Sequence, residues 1–373
     1  MNPLNILQTC FSRSWGGLEI QALEVSTQLI RRGHHVRLAV CPGSRLQTEA
    51  ERRRIPTIPV GVTGYFHPLA VARLSRMLRA EHTHIIHAQH SRDIATLVPA
   101  MQLSRRRIPI ILSKRVGSYL SKKDLLHRYT YRHVTRVLAI SEVIRRNVIA
   151  TTPARPETVM TLHDAVDTHI FTPDNTAGTA VRREFHIDDT DVLVGFVGRF
   201  SPGKGHEDLL RAAAMIRTQH PRTRFLIVGE ASFGEQAYEK EIRDLASSLD
   251  LGDTVTFAGF RSDVPAVMAA FDILAFPSHA ESFGVVLIEA MAMGKPVVAT
   301  NCDGVIDIVV DGETGIMVPP KEPGQLAAGL AALIADPGKR QRMGSAGRRR
   351  VEEHFDQERQ ITRLEALYAE LFA

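Results

Sequence analysis

Short apolar runs rich in Val and Ile alternate along this chain with longer stretches in which apolar residues return every three or four positions. That is the pattern of buried strands alternating with amphipathic helices. In the first half the runs fall at 4–10, 36–41, 58–62, 85–88, 108–113, 136–141 and 158–162. Helical periodicity lies between them at 18–32, 68–80, 92–103, 122–133 and 142–150. A second alternation begins at 192–198, with further strands expected at 225–229, 255–258, 273–276 and 297–299. Its helices are predicted at 206–219, 235–249, 263–270, 284–293 and 325–335. Strand, helix and strand in repeated succession predict parallel sheets covered on both faces. A chain of 373 residues exceeds one ordinary core. The pattern therefore predicts an α/β protein with two doubly wound domains facing a cleft, 1–172 and 173–350, followed by a helical tail, 351–373.

Composition is ordinary for a globular protein, 44% hydrophobic and 23% charged. No run of 18 apolar residues occurs, and the N-terminus MNPLNILQTC lacks a basic segment followed by a long apolar one. Cys10, Cys41 and Cys302 are odd in number and far apart, which argues for a reducing compartment and against a disulfide framework. A cytoplasmic protein, bound to a membrane at most by its surface, is expected. The net charge of +5 conceals an asymmetry: residues 1–172 hold 25 Lys/Arg against 11 Asp/Glu, and the remainder is acidic. The basic half predicts a phosphate-bearing partner, whether nucleic acid, an anionic leaflet or a phosphorylated glycan or lipid.

Three turns carry candidate chemistry. Gly16 and Gly17 join the first strand to the first helix, where backbone can approach a phosphate closely. Their spacing is not that of a dinucleotide fingerprint. The turn Gly198-Arg199-Phe200-Ser201-Pro202-Gly203-Lys204-Gly205 brings two cations to a strand end, five positions apart, as neutralising a diphosphate requires. It is not a Walker A loop, because Gly205 stands where Ser or Thr is needed, with His206 after it. The stretch 279–294, HAESFGVVLIEAMAMG, reads as a loop and an apolar helix capped by Gly294. Glu281 precedes that helix and Glu289 lies within it; eight positions at about 100° each set their carboxylates on neighbouring faces, roughly 10 Å apart. Such a pair is too distant for concerted acid/base work. It suits a ligand about one nucleotide-sugar long.

The stretch from Glu281 to Thr300 resembles the donor-site signature of family-4 retaining glycosyltransferases with the GT-B fold. The Arg199/Lys204 turn and the segment Asp164-Ala165-Val166-Asp167 with Phe171 and Pro173 are similar to that family as well. The resemblance implies two Rossmann-like domains, with the tail helix crossing back to the first. It implies that Gly16 and Gly17 approach the donor phosphate, and that Arg199 and Lys204 hold the diphosphate. Glu281 would bind the sugar hydroxyls and Glu289 the ribose. Phe283 and Gly284 would meet the sugar through backbone N–H groups, beside Val285, with Gly229, Phe260 and Arg261 near the base. Relatives often carry His-x-His after a strand of the first domain. Here His87-Ala88-Gln89-His90 puts Gln at the second place, leaving His87 and His90 as weaker catalytic candidates beside Glu281.

The resemblance further implies metal-independent, retaining transfer from a UDP- or GDP-linked sugar to a glycan or lipid-linked acceptor, as in lipopolysaccharide or surface polysaccharide biosynthesis. No cofactor is expected. Asp189-Thr190-Asp191 has the spacing of a metal-binding motif, but it lies in an acidic turn before a strand and reads as a solvated loop. Arg105, Arg106, Arg107, Lys114, Arg115, Lys122 and Lys123 cluster in sequence among Leu103, Ile108, Tyr119, Leu120, Leu125 and Leu126. Basic side chains among apolar ones fit the inner, anionic face of a membrane, and so a peripheral location there. One aromatic residue is thin for nucleic-acid stacking, so no nucleic-acid partner is expected. A nucleotide-sugar epimerase of the same fold and a non-enzymatic module binding anionic lipid or nucleic acid are the alternatives.

Overall fold

The structure is a computed structural model that describes residues 2–62, 67–232 and 234–372. Its contacts divide the chain into two compact units, one running to Asp164 and resuming at Glu358, the other spanning Ala165–Gln357. The residues 165–172 and 351–357 thus belong with the second unit, not with the first domain and the tail as the sequence pattern suggested.

Among the described residues the strands of the first unit are β1 (Asn5–Cys10), β2 (His35–Val40), β3 (Thr57–Pro59), β4 (Ile85–Ala88), β5 (Ile110–Lys114), β6 (Arg136–Ala139) and β7 (Val159–Thr161). They form one parallel sheet in the order β3-β2-β1-β4-β5-β6-β7. The helices between them are α1 (Gly17–Arg31), α2 (Arg45–Arg52), α3 (Pro68–Ala80), α4 (Ile94–Ser104), α5 (Leu125–Tyr131) and α6 (Glu142–Thr151). Every residue of β4 and β5 is buried, as expected of strands covered on both faces. On one face Ile86, Ile110, Leu112 and Val137 pack with Leu74, Leu97, Ile144 and Val148 of the helices. On the other Leu4, Ile6, Ile85, Ile111 and Leu138 pack with Val25 and Leu29. The last helix of the chain completes that second face.

The second unit begins with α7 (Gly178–Glu184) and contains β8 (Val192–Val197), α8 (His206–Arg217), β9 (Thr223–Val228), α9 (Gln236–Ser248), β10 (Val255–Gly259), α10 (Val264–Ala270), β11 (Ile273–Phe276), α11 (Val285–Ala292), β12 (Val297–Thr300), β13 (Gly315–Val318), α12 (Pro323–Ile334) and α13 (Pro337–His354). Its parallel sheet has the order β10-β9-β8-β11-β12-β13. The chain ends in α14 (Gln357–Phe372). The helical tail expected at 351–373 is broken at Phe355 and Asp356, where Val166 and Asp356 form a parallel bridge. That break lets Ile361, Leu364, Leu367 and Tyr368 turn an apolar face onto the first sheet. Arg32 clamps the helix at Glu365, 2.6 Å away, and His34 meets the same carboxylate at 2.9 Å.

Helices α2 and α7, strand β13 and most of α13 are additions to the sequence pattern. The first three are eight residues or fewer, too short for a period to show, and α13 is polar along most of its length. In both sheets the chain winds outward from the first strand, then reverses and winds out on the other side. The reversal lies between β1 and β4 in the first unit and between β8 and β11 in the second. Ligands of open parallel sheets bind at the carboxyl ends of such strand pairs, because the loops there diverge and leave a crevice.

Candidate active site

In the second unit Arg199, Lys204, Glu281, Phe283 and Gly284, all singled out by sequence, stand on the two loops that leave the reversal point, Gly198 to Gly205 after β8 and Pro277 to Gly284 after β11. Lys204 Nζ lies 2.6 Å from Glu281 Oε2, one residue from each loop. The backbones are joined by His279 N–H, which donates to Gly203 O at 2.8 Å. The His279 ring is held by Asp208 at 2.7 Å. Glycine is required at this junction by space as well as by torsion. Gly205 has φ +78°, and a Cβ there would stand 2.1 Å from the Pro277 carbonyl oxygen. Gly229 has φ +145°, and its Cβ would meet Gly198 O at 1.9 Å. Gly284, at φ +107°, caps α11. With these contacts the N-termini of α8 and α11 both stand at the carboxyl edge of the sheet, where their free N–H groups favour an anion.

Glu289 is half-buried in α11 and has no hydrogen-bond or ion-pair partner among the described residues. Burial pushes its carboxyl up to about 7. Arg199 is mostly solvated, with its Nε 3.6 Å from Glu235, which in turn accepts from Ser201 at 2.5 Å. Phe283 is buried edge-on against Phe355, 5.8 Å between ring centres, so only its backbone can face a ligand. Val285 beside it is half-buried. Phe260 is exposed, whereas Arg261 is committed to Glu184 at 2.5 Å and Asp263 at 2.7 Å. A guanidinium so engaged ties the turn after β10 to α7.

Sequence reading missed the loop after β12. Asp303 accepts from the Glu281 N–H at 3.2 Å, and Gly304 N–H donates to Glu281 O at 2.9 Å. A Cβ on Gly304 would lie 2.2 Å from Ser282 O. The signal was there, an Asp-Gly pair following the apolar run 297–299, yet only the fold shows that this loop braces the glutamate. Asp191 corrects another expectation. It is buried and faces Arg224 at 3.6 Å, so the Asp189-Asp191 turn is only partly solvated. Among the described residues no group of His, Cys, Asp or Glu is gathered as a metal site.

At the reversal point of the first unit, Gly16 is extended and caps α1, and a Cβ on Gly17 would meet nothing. His90 is partly exposed, 3.7 Å from Asp93. His87 lies elsewhere: it is buried under α14, with Nδ1 2.6 Å from the Tyr368 hydroxyl and Nε2 2.8 Å from Ser113 Oγ. Burial drives its pKa down to about 3. A neutral histidine with both nitrogens engaged in the interior holds helix to sheet and is out of a substrate's reach.

The basic cluster read from sequence is not one surface. Arg105, Arg106 and Arg107 precede β5, and Lys122 and Lys123 follow it, with the Lys122 N–H donating to Thr151 O at the end of α6. Lys114 and Arg115 leave the patch altogether. Lys114 is 6% exposed, and Arg115 spans Asp164 and Gln89 at 3.1 and 2.7 Å. What remains near Lys122 and Lys123 is an exposed apolar loop: Val116, Tyr119, Leu120, Leu125 and Leu126.

Residues 15–170 match the family model for Glycosyltransferase Family 4, and residues 179–350 match Glycosyl transferases group 1. The chain belongs to the family-4 glycosyltransferases. This glycosyltransferase is 37% identical to the D-inositol 3-phosphate glycosyltransferase of Segniliparus rotundus over 57% of its own length and about half, 47%, of that relative. The enzyme of the same name from Kineococcus radiotolerans is 29% identical over 90% of the chain and 86% of the relative. Among solved structures the Anabaena protein HepE in complex with UDP superposes with a TM-score of 0.88 at 25% identity, covering 98% of this chain and 100% of that one. The two parallel-sheet units are those of the GT-B fold. Among the described residues of this glycosyltransferase no helix is long and apolar enough to cross a membrane.

Proposed function

We propose that this glycosyltransferase moves a hexose from a nucleoside-diphosphate sugar to a hydroxyl of a glycan or glycolipid, with retention at the anomeric carbon and no need of a metal ion. The observation that carries the reading is the Lys204–Glu281 pair at 2.6 Å on the reversal point of the second sheet, with two helix N-termini beside it. Each member has a use when a donor arrives. Lys204, with the solvated Arg199, neutralises the diphosphate, and Glu281 exchanges its ammonium partner for sugar hydroxyls. The unpartnered Glu289 accepts from the ribose. As the acceptor oxygen bonds to the anomeric carbon, the bond from that carbon to the phosphate oxygen breaks. Its electron pair stays with the diphosphate, where Lys204, Arg199 and the helix N–H groups stabilise the growing charge. The acceptor proton passes to the leaving phosphate oxygen, since no nucleophile with its own base stands in the second-unit site.

Likeness to the UDP-bound Anabaena protein favours uridine as the base. The acceptor reading is drawn from the basic first unit and the exposed loop near Lys123, which would seat on the anionic inner face of a membrane and meet lipid-linked glycans of surface polysaccharide synthesis. The relatives' name favours a second reading, a small phosphorylated acceptor. Thermal unfolding against UDP, GDP and UDP-hexoses, with and without EDTA, tests the donor site. UDP protection that survives EDTA is expected. Protection by no nucleotide, or one that depends wholly on added manganese or magnesium, overturns it.

A further inference from the structure

Lys114 ends β5 on the face covered by α4 and α6, and the same strand face carries Ile110 and Leu112 into the core. Its ammonium has one partner, Ser91 Oγ at 3.0 Å, on the loop that follows β4. No carboxylate among the described residues comes within ion-pairing distance of it. Three acids of this sheet edge are engaged elsewhere. Asp164 is held by Arg115, Asp93 by Thr9 and the Phe11 N–H, and Glu142 by Arg145 and Arg146. The charge acting on its ammonium is a like one, that of Lys122. Lys122 is half-buried, its ammonium is also unpartnered among the described residues, and its loop is pinned by the Lys122 N–H donating to Thr151 O at 2.6 Å. Burial and the proximity of Lys122 together bring the Lys114 ammonium down to about 8. Helix α6, capped by Ser141, begins after the strand next to β5, and Lys122 is tied to its last residue.

A buried ammonium answered only by a hydroxyl and a second cation is a cost to the empty protein, and a dianion placed among them would relieve it. We propose that Lys114, Lys122 and Ser91 form a binding site for a phosphate monoester, carried by the acceptor of the transfer reaction. The role as acceptor site rests on the glycosyltransferase reading of the second unit; the anion site itself does not. The phosphate could come from a free sugar phosphate or from a lipid headgroup, and both offer the same dianion.

The test is thermal unfolding in rising inorganic phosphate, with UDP held at saturation so that the diphosphate site is filled. The wild type is expected to gain stability saturably. Lys122→Ser should weaken the apparent phosphate affinity by about tenfold or more. Lys114→Met should abolish the response while matching or exceeding the wild-type melting temperature without phosphate, since it removes an uncompensated buried charge. A Lys114→Met protein that is less stable without phosphate and still responds to it would make the lysine a structural tie to Ser91 and overturn the site. Displacement by glucose 6-phosphate supports a free acceptor, and displacement by phosphatidic acid vesicles alone supports a lipid-borne one. Absence of any UDP shift beside an intact phosphate response would sink the donor reading and leave this site standing.

Discussion

The carboxyl edges of the two sheets share one winding and differ in electrostatics. In the second unit Lys204 and Glu281 answer each other across two loops, half-buried, in a pair that a ligand can separate at little cost because each partner is then taken by the ligand. In the first unit the charges are either locked into the interior, as Arg115 with Asp164, or left without a counter-charge, as Lys114. The backbones differ in the same sense. Gly205 and Gly229 are forced by contacts with neighbouring loops, whereas Gly17 faces open space. A site built of exchangeable pairs and crowded glycines is organised before its ligand arrives, which is what transition-state stabilisation demands. A site with unanswered positive charge waits for its ligand to complete it.

The comparison breaks most visibly at the cations of the second unit. Lys204→Ala and Arg199→Ala are each expected to lower kcat/KM on the order of 10² or more with unfolding temperatures near the wild type. Near-normal turnover in both would show that the Lys204–Glu281 pair is structural. The glycines come next. Gly205→Ala should cost about 2–4 kcal/mol of stability, from positive φ and the clash with Pro277 O together, while Gly17→Ala should stay within about 0.5 kcal/mol. Denaturant unfolding of the two variants reads the difference, and equal effects would remove the claimed contrast in crowding.

The smallest effect concerns Glu289. Its carboxyl titrates near 7 when folded against an ordinary value of 4.5. The folded protein therefore holds a proton that the unfolded chain releases between those values. The stability this contributes is full below about pH 4.5 and is lost as pH rises through about 7. Glu289→Gln should flatten that part of the stability profile measured between about pH 4 and 8. If the ionised carboxylate accepts the ribose hydroxyls, UDP affinity in the wild type should rise a few-fold from about pH 6 to 8, and stay level in the variant. A pH-independent affinity in both would detach Glu289 from the ribose.

Strand and helix order was legible in the residues because burial on both faces of a parallel sheet leaves apolar runs that polar solvent would not tolerate elsewhere. The donor turn was legible too, since left-handed glycines and paired charges at fixed spacing are local requirements of the backbone and of a diphosphate. Local pattern could not say that His87 faces Tyr368, because that contact joins residues 281 positions apart through a helix whose break at Phe355 and Asp356 has no periodic signature. Nor could it say that Lys114 and Arg115 leave the basic run for the interior, the one toward Ser91 and the other toward Asp164. Whether a charge is solvated, paired or stranded depends on which distant segments the fold brings to it. For Lys114, Asp191 and Asp303 that was decided by tertiary structure alone.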